Sequence, residues 1–228
     1  MAALAAGTVA LAAGRGERMP AHPAAEAWLA DLPAAAAAVE PHSPVREAIE
    51  SGDVAAAREM LSFRPWNEAP VPEGFPAFTP VGVIEVKRYP AYRKAVGPGF
   101  WPLFNHIKNQ GIPMTAPVEM TAESRRGADG QMAFLYQATS VGATGPIDGV
   151  AVEDTQPTLV ASLGVRGRRN DATVGEARRR LDAWLADQSE YARDVEGDAG
   201  YRLFGYSSPM VPDAEKYWEA QLLLEPVE

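Results

Sequence analysis

Between Phe100 and Thr121 the sequence leaves little choice of conformation. Phe100, Leu103, Phe104 and Ile107 recur at i, i+3, i+4 and i+7, the apolar stripe of a short amphipathic helix. Pro102 falls in the first turn, where its missing N–H removes no intrahelical bond. Gly111 is placed to end the helix, Pro113 and Pro117 hold the following segment extended, and a strand opens at Val118. The fold must therefore bury one face of a short helix and then pass, through a stiff Met114-Thr115-Ala116-Pro117 segment, directly into a sheet.

The flanking patterns supply that sheet. Ile84 and Val86 alternate with Glu85 and Lys87, as in a half-buried strand. Pro90 interrupts this strand, and pairing resumes through Tyr92 to Val96. Val118–Ala122 and Met132–Gln137 form a hairpin, with Gly127-Ala128-Asp129-Gly130 as its turn and Met132, Phe134 and Tyr136 on one face. A second round follows in similar order. Strands are predicted at Gly149–Asp154 and Thr158–Val165, then a helix from a Thr173–Glu176 capping box to about Gln188, then strands at Tyr201–Tyr206 and Tyr217–Glu225. The helix stripe is Val174, Ala177, Leu181, Trp184 and Leu185, with Arg178, Arg179 and Asp182 facing away. The last strand sets Trp218, Ala220, Leu222 and Leu224 on one face and Glu219, Gln221 and Glu225 on the other. Strands, helix, strands, twice over, define an α+β fold built from a duplicated β-rich unit.

Residues 1–78 read as an extension and residues 79–228 as the domain. Met1 to Gly14 is uncharged and Ala-rich, too short to span a bilayer. It fits either the core of an export signal or a plain tail, so cytoplasmic and exported locations both stay open. Pro20 to Phe63 reads as short helices, with Ser43 capping a helix that opens on Pro44 and Asp53 capping the next. Arg64 to Pro80 carries five prolines and reads as a linker whose Trp66, Phe75 and Phe78 adhere to a surface. On this reading residues up to about Pro80 are dispensable for folding of the domain.

Three segments resemble one family. Ile84-Glu85-Val86-Lys87-Arg88-Tyr89-Pro90-Ala91-Tyr92 is similar to the opening strand of the SOUL heme-binding proteins. Leu103-Phe104-Asn105-His106-Ile107 resembles their first-helix pattern, with His106 where Tyr is usual, and Tyr206-Ser207-Ser208-Pro209-Met210-Val211-Pro212 resembles their late Tyr-x-x-Pro-x-x-Pro loop. Glu215-Lys216-Tyr217-Trp218-Glu219 departs from the family's Arg-Arg-Asn-Glu, and the first helix is shortened. The resemblance implies a distorted antiparallel β-barrel flanked by two helices, with a tetrapyrrole, heme in particular, as the small-molecule partner. Two other functions fit the same resemblance: an effector-type binding module without heme, and an enzyme that removes the metal or opens the ring.

Composition narrows the chemistry. A formal charge of −9 argues against a nucleic-acid partner, because phosphate binding needs concentrated positive surface. The absence of cysteine excludes disulfides, thiolate ligands and covalent c-type heme attachment. Neither a phosphate loop, nor a zinc-type His-Glu spacing, nor a nucleophile elbow is present, so binding is expected rather than catalysis. The expected tetrapyrrole cleft is formed by Phe100, Leu103, Phe104, His106, Ile107, Met114, Tyr206 and Met210, with Arg88, Arg93, Lys94 and Lys108 available to propionates. At ~100° per residue His106 lies beside Leu103 at the stripe's edge, where it serves either as an iron ligand or as a hydrogen-bonded boundary residue.

Overall fold

A computed structural model describes residues 16–121, 131–195 and 197–227. Four helices come first: α1 (Pro23–Ala30), α2 (Leu32–Ala38), α3 (Pro44–Glu50) and α4 (Val54–Ser62). The domain then runs β1 (Ile84–Tyr89), β2 (Arg93–Gly97), α5 (Phe100–Gln110), β3 (Val118–Thr121), β4 (Met132–Leu135), β5 (Gly145–Ile147), β6 (Val150–Asp154) and β7 (Thr158–Arg166). It ends with α6 (Asp171–Ala186), β8 (Tyr191–Arg193), β9 (Tyr201–Gly205) and β10 (Tyr217–Pro226). Among the described residues no helix is long and apolar enough to cross a membrane.

All the strands join one antiparallel sheet, in the order β1-β7-β10-β9-β3-β4-β2-β6-β5, with β8 added beside β10. The path ends at β1 and β5 without joining them, so the sheet is open and strongly curved instead of closing into the expected barrel. The duplication is explicit in this order. Each half is a β-β-α-β-β unit: β1-β2-α5-β3-β4 and β6-β7-α6-β9-β10. The strand before each helix pairs with the last strand of its own unit (β2 with β4, β7 with β10), and β3 meets β9 at the centre. The first strands are exchanged: β1 pairs with β7 and β6 with β2.

Both helices pack on the sheet through their stripes, except that in α5 Phe100 is exposed and Phe104 only half-buried. Ala177, Leu181 and Trp184 of α6 are buried with Ile84, Leu203 and Leu222, while Leu103 and Ile107 of α5 are buried with Ala95, Phe134 and Val152. The α6 start differs from the sequence reading. Asn170 is the N-cap, its side chain accepting from Thr173 N–H at 3.0 Å, and Thr173 returns a bond to the Asn170 N–H. Glu176 instead pairs with Arg179 and Arg180. Nor do Arg178 and Asp182 simply face away: the Arg178 guanidinium lies over the Tyr201 ring, and Asp182 accepts from Arg193 and Tyr201. The β3–β4 pairing is as expected, from Val118↔Phe134 to Met120↔Met132, while the predicted turn at Gly127–Gly130 lies outside the described residues, as does Met1 to Gly14.

The extension is stitched to the domain. Ser43 occupies the N-cap position of α3, yet its hydroxyl caps nothing and accepts the Ile84 N–H of β1 at 2.9 Å. Val45 N–H donates to Gly82 O at 2.9 Å, and Val83 is buried among Leu32, Val39, Val45 and Leu61. The linker crosses the sheet face opposite the helices. Phe75 packs edge-on to Tyr89 and Tyr92 and stacks with Phe204 at 6.1 Å, and Trp66 donates to Glu215 at 2.7 Å. The crossing is tight: a Cβ on Gly164 of β7 would lie 2.4 Å from the carbonyl oxygens of Thr79 and Pro80. Only glycine admits the linker there.

Candidate functional site

The helix α5 presents two unlike sides. Its C-terminus is closed by Gly111 in the left-handed conformation (φ 65°), whose N–H reaches the carbonyls of Ile107 and Lys108. Leu103 and Ile107 anchor it to the sheet. On its outer side Phe100 is 36 % and Trp101 69 % exposed, an unusual outlay of aromatic surface for a short helix. The Phe100 ring stacks with Phe104 at 5.6 Å and 14°, packs edge-on to Trp101 at 5.3 Å, and rests on Phe134 at 5.5 Å. Trp101, Phe104 and the exposed Lys108 follow at i, i+3 and i+7, so an aromatic ledge carries an ammonium at one end. Met114 packs beside this group, half-buried.

His106 sits behind the ledge, its side chain fully buried. Nε2 lies 2.7 Å from the Tyr136 hydroxyl, and Nδ1 lies 3.7 Å from the Asp148 carboxylate without a hydrogen bond. Burial pushes the imidazole pKa down, against a smaller upward pull from Asp148. The ring thus occupies the boundary position, hydrogen-bonded to its neighbour, and does not open onto the aromatic surface.

Tyr206 and Met210 are not brought to α5. Met210 is 83 % exposed on its loop, and Tyr206 is buried in a separate cluster with Tyr89, Phe204 and Tyr217 on the opposite face of the sheet. Of the expected cations, Arg93 forms a two-pronged pair with Asp154 (2.7 and 2.8 Å) and Lys94 binds Glu119 at 2.7 Å. Arg88 and Lys108 remain exposed.

A polar cluster on that opposite face was not foreseen. Glu219 of β10 is fully buried and accepts from Gln221 Nε2 (2.8 Å), Thr79 N–H (2.9 Å), Ser162 Oγ (3.0 Å), Lys87 Nζ (3.2 Å), Tyr206 Oη (3.2 Å) and Tyr89 Oη (3.3 Å). The Tyr217 hydroxyl divides one proton between Glu219 at 3.0 Å and the Thr79 carbonyl at 2.6 Å. Burial pushes the Glu219 carboxyl up, but Lys87 and the hydrogen bonds outweigh it, and the net shift is downward. The same carboxylate and burial push Tyr89, Tyr206 and Tyr217 well up. The network continues through Gln221 to Arg202, on to Tyr92 and to Glu119, which Lys94 completes. Phe75 covers it, so these groups meet each other and not a ligand. The signal lay in β10, where Glu219 and Gln221 interrupt a run from Tyr217 to Leu224 that is otherwise aromatic and aliphatic.

A duplicated α+β domain with an aromatic ledge on its first helix and a sealed polar core is the class these features define. The model of the SOUL heme-binding protein family matches residues 77–220, more than half of the chain, and the chain belongs to that family. No curated protein sequence matches it. Among solved structures, the chain is similar to the C-terminal domain of EcmrR, at 13 % identity over 63 % of this chain and 98 % of that one, TM-score 0.48. It is also similar to an uncharacterized conserved protein from Listeria innocua (12 %, 62 % and 92 %, TM-score 0.46) and to a hydrolase from Listeria innocua (14 %, 62 % and 91 %, TM-score 0.42).

Proposed function

We propose that the protein is a non-catalytic tetrapyrrole-binding protein that holds the macrocycle on the aromatic ledge of α5 by hydrophobic burial. The observation that supports this reading is the exposure of Phe100 and Trp101 beside half-buried Phe104 on a helix already anchored by Leu103 and Ile107. Flat apolar ligands gain most from rings that offer their faces without reorganising. Lys108 is the cation available to a propionate.

Membership of a heme-binding family makes heme the first ligand to test for fit. The ledge suits a porphyrin face; the imidazole of His106 does not suit its iron, because both ring nitrogens are buried and Nε2 is engaged with Tyr136. We therefore assign His106 to positioning Tyr136. When bound, heme would supply whatever redox chemistry the complex has.

Titrating hemin and iron-free protoporphyrin into the protein tests this. Both are expected to bind saturably, with a shifted Soret band and tryptophan quenching, and with affinities within about threefold of each other, since burial does not need iron. An unshifted Soret band and no saturable quenching would sink the reading. Release of free porphyrin or a bilin from heme and reductant would replace it with an enzymatic one.

A further inference from the structure

Between α5 and α6 the helix-bearing face of the sheet holds a cation that no described carboxylate pairs. Arg169 leaves the loop between β7 and α6, and its guanidinium donates to the Met120 sulfur on β3. To reach it the side chain passes β10 and β9, toward a strand three spacings or about 14 Å from β7, so the charge sits over the middle of the sheet. Other half-buried cations meet carboxylates: Arg93 has Asp154, Lys94 has Glu119 and Arg180 has Glu47. Among the described residues Arg169 has only the thioether, a weak acceptor, and burial lowers its pKa with no neighbouring charge opposing it. A second donor belongs to the same floor. Trp218 of β10 is 3 % exposed, buried in one cluster with Met120, and its indole N–H has no acceptor. Gly205 pairs with Trp218 on one side and Val118 on the other, and Met120 lies over it, 2.8 Å from where a Cβ would stand. Val118 in turn pairs with Phe134, on which the Phe100 ring of the ledge rests. One row of residues thus runs from the aromatic ledge to the unpaired donors, and Val118, Gly205 and Arg169 keep part of their surface open.

We infer that Arg169 and Trp218 form a carboxylate-binding site for an apolar acid whose body lies along Val118 and Gly205 toward α5. A carboxylate accepts from both kinds of N–H, and its bonds to a guanidinium are charge-assisted, about twice as strong as neutral ones. Filling a buried donor also removes the cost of leaving it unpaired. An ammonium would be repelled by the guanidinium, and a purely apolar body would leave both donors as they are. The site itself stands on these residues; that the acid is a propionate of a macrocycle on the ledge rests on the tetrapyrrole reading.

Fluorescence titration of the full chain with pyrenebutyrate and its methyl ester tests it. The acid is expected to bind about tenfold or more tighter than the ester, against the chain's net charge of −9, which by itself repels anions. Arg169→Gln should weaken the acid about tenfold and leave the ester and the urea midpoint unchanged, since Arg169 holds no carboxylate of its own; Arg169→Lys should recover part of the loss. Trp218→Phe, which keeps a ring without the N–H, should weaken the acid severalfold. Equal binding of acid and ester by the native chain, binding of neither, or acid binding unaltered in both Arg169→Gln and Trp218→Phe overturns the inference. Hemin separates it from the tetrapyrrole reading. Hemin bound without pyrenebutyrate leaves that reading standing and this one overturned, whereas pyrenebutyrate bound without hemin sinks the tetrapyrrole reading alone.

Discussion

Glu219 is the residue on which most side chains converge, and its removal tests how the polar core is held. Glu219→Ala takes from buried Lys87 one of its two carboxylates, leaving it Glu85 and the Ala77 carbonyl, and leaves the Tyr89 and Tyr206 hydroxyls without their acceptor. A loss of about 3–5 kcal/mol in urea unfolding is expected, and a loss under about 1 kcal/mol would show the network to be incidental. The two inward histidines predict a pH dependence. Burial lowers the folded pKa of both His106 and His22 from 6.5, so the unfolded chain takes up protons first as pH falls. Stability is full above about 6.5 and is lost as pH falls through that value toward the folded pKa. Urea midpoints should drop between pH 7.5 and 5.5, and His106→Phe should remove part of that drop; a flat profile would refute the assignment. At this scale the sequence was half legible. Periodicity places Leu103, Ile107 and His106 around α5, because a helical angle is a local quantity. It says nothing about Glu219, whose burial depends on Thr79, Lys87 and Ser162 arriving from distant segments.

Elements were read well where their own residues decide and less well where a neighbour competes for the same atom. Thr173 and Glu176 have the spacing of a capping box, but Asn170, three residues earlier, reaches the same first turn and takes the cap. Asn170→Ala should cost about 1 kcal/mol in thermal or urea unfolding and Glu176→Ala only a few tenths; the reverse order would restore the later start. Ser43 is a sound cap by sequence, yet its oxygen goes to β1 because the Ile84 N–H on an edge strand has no other partner given to it. The short strands β5 and β8 escaped notice because three residues carry too little pattern. On α5, Trp101→Ala should weaken hemin by about 1–2 kcal/mol, a five- to thirtyfold change in Kd, while leaving the unfolding midpoint nearly fixed. If Kd does not change, the ledge is not where the ligand lies. Gly164→Ala, by contrast, should destabilise by about 1–3 kcal/mol, since the linker must lift off β7.

For the molecule as a whole, the open question is how far the extension belongs to the fold. A chain starting at Phe78 keeps every strand, but it loses Phe75 from Tyr89, Tyr92 and Phe204 and uncovers Val83. Its Tm should fall by roughly 10 °C or more, the loss of several kcal/mol for a domain of this size, and calorimetry measures it directly. An unchanged Tm would make the extension an appendage, as its Ala/Pro-rich composition alone implies. The exchanged first strands have a further consequence for the order of events during synthesis. Strand β6 can find β2 as soon as it leaves the ribosome, because β2 is already there. Strand β1 cannot settle, because its partner β7 emerges only after β2, α5 and β3 to β6. Until then Ser43 and Val45 have no fixed Ile84 and Gly82 to bind, and α1 to α4 wait as well. The part of the chain made first thus waits for a strand made much later, and a nascent chain arrested before Arg166 would carry its N-terminal helices undocked, within reach of any chaperone at the tunnel exit.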